Sequence, residues 1–282
     1  MSDVFIGSEA KLRGTLSPYQ LRSGFRSIYP DVYLAGNSPP SLRQRSQAAW
    51  LWSGRRGVLA GLAAAALHGS NWIDDDKPIE LIWRNPHPPA GVVTRNQRLD
   101  GDEITHVARL PVTTPARTAY DLARQLPRGE AAARLDALMR ATPFSVEEVL
   151  LLARRYPGTR GLRRLRTVLP LVDGGSASPK ETWLRLLLID AQLPRPSTQI
   201  AVHENWHLVG VLDLGWEEYK VAVEYDGDHH RSSRRQYVRD QCRLRKLQAL
   251  GWIVIRVIAE DRPADVIRRV RQALATRGYR DT

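Results

Sequence analysis

The most constraining feature of the sequence is the segment KVAVEYD at residues 220–226. Side chains of a β-strand alternate between the two faces of a sheet, so this pattern predicts a strand with one largely apolar face. That face carries Val221, Val223 and Tyr225. The carboxylates of Glu224 and Asp226 share the opposite face, near the end of the strand. The chain must therefore place two negative charges together at the end of one strand.

The residues around this strand predict a complete α/β domain. Helical and strand patterns alternate from Ser178 to the C-terminus, with Pro179 at the first position of the first helix. The segments are the helix 178–192, the strands TQIAVHE, HLVGVLDL and YKVAVEYD, the helix RRQYVRDQCRLRKLQAL, the strand WIVIRVI and the helix ADVIRRVRQAL. The predicted order is αβββαβ with an added helix. The glycine-rich stretch VDGGSASP predicts a boundary between domains at 1–172 and 178–282.

The sequence pattern of the first domain predicts an α+β fold. LSPYQLRSGFRSIYPDVYLAG predicts a short helix and a hairpin with Pro30 and Asp31 in its turn, which is the order of a shortened winged helix. Residues 40–69 have helical patterning, and KPIELIWR and GVVTRNQRL follow as strands. Thr114 is the expected N-cap of a helix that begins at Pro115. Helices around GEAAARLDALMRA and SVEEVLLLARRY complete this half.

The composition restricts the class of partner. A net charge of +12 indicates a polyanion, because each phosphate neutralised by Lys or Arg releases a condensed counterion. Two segments are dense in arginine, LLARRYPGTRGLRRLRTVL and RSSRRQYVRDQCRLRK. The alternatives for both are contacts with nucleic acid and solvated helix faces. A single cysteine excludes an internal disulfide and a multi-cysteine zinc site. No apolar run is long enough for a membrane span, and without a secretory signal we expect a cytoplasmic protein.

Asp213 is expected to join the two carboxylates of the strand at 220–226. A hairpin centred on Glu218 and Tyr219 places Asp213 opposite or diagonal to Glu224. Three converging acids repel one another, and a hard divalent cation such as Mg²⁺, with Mn²⁺ able to replace it, would relieve this repulsion. The alternative is that Glu224 and Asp226 form the solvated face of an edge strand, paired with arginines.

Two further residues are candidates for the same site. His230 follows Gly227, which permits a sharp turn back toward the acids, and a neutral imidazole there could bind metal or transfer a proton. Glu181 lies three residues after Ser178, a spacing that fits a capping box as well as catalytic assistance. Both roles stay open for Glu181.

These residues resemble those of the PD-(D/E)XK restriction-endonuclease-like nucleases. VAVEYDGDHHR, QYVRDQCRLRKLQALGW and VIRV are most similar to the branch related to very-short-patch-repair endonucleases, which includes an actinobacterial family. The resemblance covers about residues 178–275. It implies that Asp213 and Glu224 bind metal, and that His230 closes an E-x-D-G-x-x-H pattern. Asp226 replaces the lysine expected two residues after Glu224, so either Asp226 or His230 would orient the attacking water.

The N-terminal half is similar to antitoxins of the AbiEi type, through PDVYLAG, AAALHGS, PVTTPARTAYDLAR and RLDALM. Such proteins bind DNA as repressors through a winged helix. The sequence therefore predicts a Mg²⁺-dependent endonuclease acting on double-stranded DNA in repair or defence. In this prediction Asp213, Glu224 and Asp226 hold the metal, and the backbone is contacted by Arg234, Arg235, Arg239 and Arg243. The alternatives are a non-catalytic DNA-binding regulator of the antitoxin type and an RNA-directed nuclease.

Overall fold

A computed structural model describes residues 4–36, 38–227 and 234–280. The chain forms two compact units, an N-terminal unit of residues 1–170 and a C-terminal unit of residues 171–282. Within the described residues, no helix is both long and apolar enough to cross a membrane.

A three-stranded sheet opens the N-terminal unit. Its strands are β1 (Val4–Ile6), β2 (Phe25–Tyr29) and β3 (Val32–Ala35), in the antiparallel order β1-β3-β2. The helices α1 (Gly7–Leu12) and α2 (Pro18–Gly24) lie between β1 and β2 in the chain. Asp31 adopts a φ of 60° between β2 and β3, as the predicted turn requires.

The second sheet of this unit has five strands. They are β4 (Val58–Ala60), β5 (Ile79–Ile82), β6 (Val92–Arg95), β7 (Ile104–Val107) and β8 (Leu110–Thr113), in the order β6-β5-β4-β8-β7. The helices α3 (Leu42–Trp52) and α4 (Gly61–Leu67) flank β4 in the chain. The prediction of continuous helical structure at 40–69 is therefore wrong at β4. Pairing with β5 and β8 stabilises an extended conformation in a segment whose local composition favours helix.

Four helices complete the N-terminal unit. They are α5 (Pro115–Gln125), α6 (Arg128–Ala141), α7 (Val146–Arg155) and α8 (Leu162–Val168), with 3-10 turns at Gly101–Glu103 and Leu169–Leu171. Thr114 caps α5 as predicted, since its side chain accepts a hydrogen bond from the Arg117 amide. Ser145 and Glu148 form a capping box at α7.

The C-terminal unit has the predicted order of elements. It contains α9 (Pro179–Asp190), β9 (Ser197–Glu204), β10 (His207–Trp216), β11 (Val221–Tyr225), α10 (Arg234–Ala249), β12 (Ile253–Val257) and α11 (Pro263–Thr276). The sheet order is β12-β11-β10-β9. β11 runs parallel to β12, and the other two neighbouring pairs are antiparallel. β11 is thus an interior strand with a neighbour on each side.

Helices cover both faces of this sheet. Val221 and Val223 pack in one cluster with residues of α9 and α11, and Ala222 packs in a second cluster with Leu247 of α10. The period-2 alternation of β11 is confirmed by this division. The alternative of a solvated edge strand is wrong in its position, because β11 is interior and Glu224 is only 7% exposed. The pairing with arginines that this alternative included is confirmed for Glu224 and Asp226.

Candidate functional site

Asp213 and Glu224 are direct neighbours across the β10–β11 hairpin. Leu214 pairs with Val223 and Trp216 with Val221, so the same antiparallel register sets Asp213 opposite Glu224. The Asp213 carboxylate also accepts a hydrogen bond of 3.1 Å from the Tyr225 amide. This arrangement agrees with the predicted centre of the hairpin.

The two carboxylates open into a cleft of about 310 Å³, which we call the acidic cleft. Its lining residues are Val211, Asp213, Glu224, Tyr225, Asp226, Asp240, Arg243 and Arg256. Four of these are acids and two are arginines. The cleft is therefore a locally negative site in a strongly basic chain.

Asp213 has an unusual ionisation. The pKa of Asp213 is raised from 3.8 to about 7, first by burial and then by the negative charges of Glu181 and Glu224, while the Tyr225 amide and Arg243 act in the opposite direction. A carboxyl group with a pKa near neutrality can both accept and release a proton under physiological conditions.

Glu181 has the capping role and also lies within electrostatic range of Asp213. One carboxylate oxygen accepts hydrogen bonds from the Ala177 amide at 2.8 Å and the Gln199 side chain at 3.2 Å. The other accepts from the Ser178 hydroxyl at 2.9 Å, and the Glu181 amide donates to that hydroxyl at 3.2 Å. Because the carboxylate bonds the Ala177 amide rather than that of Ser178, it fixes the start of α9 in a variant of the capping box.

Gln199 reaches Glu181 from an irregular point of β9. Its φ is 52°, a left-handed conformation that is uncommon for a residue other than glycine. The β9–β10 register pairs Thr198 with Leu214 and Ile200 with Leu212, so this residue lies level with Asp213. Gln199 therefore departs from extended geometry beside the cleft, within a strand whose register is unchanged on either side.

Arg243 occupies a different place from the one predicted. Its two terminal nitrogens donate to the two carboxylate oxygens of Glu224, both at 2.8 Å, and one of them also donates to the Val211 carbonyl at 3.3 Å. Arg243 was predicted to contact the DNA backbone; in the described structure its guanidinium binds Glu224, and a contact with DNA stays a prediction. The guanidinium is held inside the cleft by a bidentate ion pair.

Asp226 is paired in a similar way. Arg256 on β12 donates to the Asp226 carboxylate at 2.5 Å, across the parallel β11–β12 pair. Through this ion pair the Asp226 side chain contacts β12, which neighbours β11 on the side away from β10. Asp226 thus behaves as an ion-pair partner in the described structure.

The predicted set of three metal ligands does not fit this geometry. Among the described residues, an acidic group whose oxygens all lie within 4.8 Å of one another is formed by Asp100, Asp102 and Glu103, and not by the acids of the cleft. The reason is that Glu224 and Asp226 turn toward guanidinium groups. Positive charge among the cleft acids therefore comes from arginine side chains.

The remaining predicted residues divide into two groups. His230 lies in the segment 228–233, outside the described residues. Arg234, Arg235 and Arg239 are exposed on the first turns of α10. These three positions are compatible with contacts to a polyanion, and their role stays a prediction.

Sequence reasoning missed a buried ion-pair network in the N-terminal unit. Arg117 is fully buried and binds Glu103 and Asp121, with Asp121 also bound by Arg124 at 2.7 Å. Arg155 extends the network to Asp102 at 2.7 Å and to Glu103 at 2.9 Å. The i,i+4 spacing of Arg117 and Asp121 was a visible signal, although the contact with Glu103 is not local in sequence.

Two comparisons with known proteins bear on these units. Residues 57–173 match the AbiEi antitoxin C-terminal domain. The chain is also 31% identical over 258 residues to two uncharacterized proteins, one from each of two strains of Mycobacterium tuberculosis, and the match covers 90% of this chain and 91% of each relative. The chain belongs to their family. The match to the AbiEi domain begins at residue 57, directly before β4, and it includes the residues of the buried ion-pair network.

The AbiEi match confirms the antitoxin-like prediction for the N-terminal half. The acidic cleft lies outside the matched residues. The resemblance of the C-terminal unit to PD-(D/E)XK nucleases therefore stays a prediction, as do the winged helix and the catalytic roles assigned from sequence.

Proposed function

We propose that this protein is a DNA-binding regulator of the antitoxin type. The observation that carries the proposal is the match of residues 57–173 to the AbiEi antitoxin C-terminal domain. The net charge of +12 supports it, because a basic protein gains free energy from counterion release on binding a polyanion.

Exposed arginines offer a surface for this binding. We call the group formed by α7, α8 and their connection the α7–α8 surface. Its exposed basic residues are Arg154, Arg155, Arg160, Arg163, Arg164 and Arg166. Arg155 pairs with Asp102, and Arg164 donates to the Gln125 carbonyl. The apolar side of α8 is buried through Leu162 and Leu165. Burial of that side directs Arg163 and Arg166 to solvent, where they can contact phosphates without reading sequence.

Fluorescence anisotropy with labelled duplex DNA tests the proposal. The full chain should bind, and the double variant Arg163→Gln/Arg166→Gln should bind at least about tenfold more weakly, since each phosphate contact adds to the affinity. The matched variant Arg234→Gln/Arg235→Gln removes equal charge from α10 and identifies which unit contacts DNA. Absence of DNA binding by the intact protein would contradict the proposal.

The acidic cleft favours a second function, hydrolysis of phosphodiester bonds. The specific observation is the half-buried Asp213, whose pKa is raised to about 7 beside Glu181 and Glu224. Such a group is suited to accept a proton from an attacking water. Dependence of this reaction on Mg²⁺ or Mn²⁺ stays a prediction, because the carboxylates that would bind the ion are paired with arginines in the described structure.

A cleavage assay separates the two functions. Supercoiled, linear and mismatched DNA, with a matched RNA, would be incubated with Mg²⁺, Mn²⁺ or EDTA. Cleavage that is lost in both Asp213→Asn and Glu224→Gln, and kept in the exposed control Glu217→Gln, would support a nuclease. If all four proteins bind DNA and none cuts any substrate, the second function is wrong and the regulator remains.

A further inference from the structure

We propose that Arg243 takes the place of a divalent cation at Glu224, so that the acidic cleft carries its own resident cation. The inference rests on the disagreement between the predicted metal ligands and the observed ion pairs. It goes beyond both functions proposed above and requires neither of them.

The contacts of Arg243 are those expected of a dedicated partner. Glu224 is 7% exposed, and both of its oxygens accept from Arg243 at 2.8 Å. A bidentate guanidinium–carboxylate pair is planar and strongly directional, and it leaves few lone pairs of the carboxylate for another ligand. A metal ion could bind Glu224 fully only if this pair opened.

The backbone of β10 accommodates the Arg243 side chain. Gly210 lies against its stem, and a Cβ at position 210 would be 2.9 Å from the Arg243 Cδ. The Val211 carbonyl accepts a hydrogen bond from the same guanidinium at 3.3 Å. Glycine at this position therefore provides the space through which the side chain reaches the cleft.

The charges around Arg243 also match those that would surround a cation. Its pKa is raised first by the hydrogen bond to Glu224, and the charges of Glu224, Asp240 and Asp213 add to this effect while desolvation opposes it. A guanidinium remains protonated across the physiological range. Arg243 thus supplies a permanent positive charge among three carboxylates.

Arg256 completes the pattern on the other side of the cleft. It binds Asp226 at 2.5 Å, and Asp226 stands where the resemblance leads one to expect a lysine. Two carboxylates that were predicted to share one metal ion are instead each neutralised by an arginine. Asp213 differs in its contact, since its carboxylate accepts a hydrogen bond from the Tyr225 amide.

Manganese binding measured by electron paramagnetic resonance tests the proposal without any need for catalytic activity. The signal of free Mn²⁺ would be titrated with the full-length wild-type protein and with Arg243→Ala. We expect Arg243→Ala to bind Mn²⁺ at least about tenfold more tightly than wild type does, because removal of the guanidinium leaves the negative charge of Glu224 uncompensated. Arg245→Ala is the matched control, since it removes the same charge from an exposed position of α10.

One additional variant and one competition experiment assign the gain in Mn²⁺ affinity to Glu224. The double variant Arg243→Ala/Glu224→Gln should lose the added Mn²⁺ affinity. Free guanidinium ion at low, non-denaturing concentration should compete with Mn²⁺ in Arg243→Ala and not in Arg245→Ala. A purely structural ion pair would not produce this competition.

The proposal is overturned if the wild-type protein binds Mn²⁺ through Glu224 as tightly as Arg243→Ala does. It is also overturned if a folded Arg243→Ala, checked by circular dichroism, gains no affinity. Should that variant fail to fold, Gly210→Ala gives the answer, because the added methyl displaces the Arg243 stem and should raise Mn²⁺ affinity in the same direction. An unchanged affinity in folded Gly210→Ala would then reject the proposal.

Discussion

Asp213 makes stability depend on pH in the direction opposite to that of an ordinary carboxylate. Its pKa is about 7 in the folded protein against 3.8 ordinarily, so between these values the folded state holds a proton that the unfolded chain has released. The stabilising contribution is complete below 3.8 and is lost as the pH rises through about 7. Above neutrality the native state contains a buried charge beside Glu181 and Glu224.

Asp213→Asn should therefore be more stable than wild type near pH 8, by about 2 to 4 kcal/mol, and nearly equal to it near pH 4. The asparagine oxygen can still accept the Tyr225 amide, so the variant changes charge with little change in shape. Urea unfolding of the C-terminal unit, followed by pulsed hydrogen exchange of peptides containing β11, measures the difference. A stability difference that did not vary with pH would contradict the assignment.

In the N-terminal unit, Arg117 carries a buried positive charge. Replacement by leucine would leave Glu103 and Asp121 buried without their main counter-ion, and we expect the free energy of unfolding to fall by about 3 to 5 kcal/mol. Arg98→Leu is a suitable control, because Arg98 is exposed and its solvent-screened pair with Asp100 should contribute little to stability. If the two substitutions lower the free energy of unfolding equally in urea denaturation, the buried network contributes little to stability.

At the scale of elements, the β9–β10 hairpin contains a local conflict. Asn205 and Trp206 form its two-residue turn with φ values of 49° and 67°, which is the pattern of a type I′ turn. Glycine is favoured at the second position, yet Trp206 occupies it and is 99% exposed. The tryptophan thus accepts an unfavourable backbone conformation without compensating burial.

Trp206→Gly should raise the free energy of unfolding by about 0.5 to 1 kcal/mol, because relief of left-handed strain exceeds the added entropy of glycine in the unfolded chain. Trp206→Ala retains the Cβ and should give no comparable gain. Urea midpoints of the three proteins provide the comparison. If alanine and glycine stabilise equally, backbone strain is not the cause.

Some elements could be predicted because local pattern and native contacts agree. The short connection between β10 and β11 fixed the pairing of Asp213 with Glu224, since the register of a hairpin follows from its turn. β4 could not be found in this way, because its three residues lie in a run typical of helix and become a strand through partners distant in sequence. The sequence likewise predicted the helix that carries Arg243 without revealing that this side chain binds Glu224 of β11.

For the whole molecule, the net charge of +12 makes DNA affinity a function of ionic strength. We expect the logarithm of the association constant to fall linearly with the logarithm of salt concentration, with a slope of about −0.9 for each phosphate contacted. Arg163→Gln/Arg166→Gln should reduce the magnitude of this slope by about 2. Anisotropy titrations at several salt concentrations measure it, and a slope unaffected by these substitutions would place the phosphate contacts elsewhere.

The left-handed residue in β9 has a consequence for how copies of this chain meet in concentrated solution. β9 is an edge strand of eight residues, and a regular edge offers its unpaired amide and carbonyl groups as a template for a strand from another molecule. Gln199, the third of these residues, has a left-handed backbone conformation, and its side chain is turned to Glu181. We therefore expect this departure from extended geometry to disfavour edge-to-edge pairing between copies of the chain.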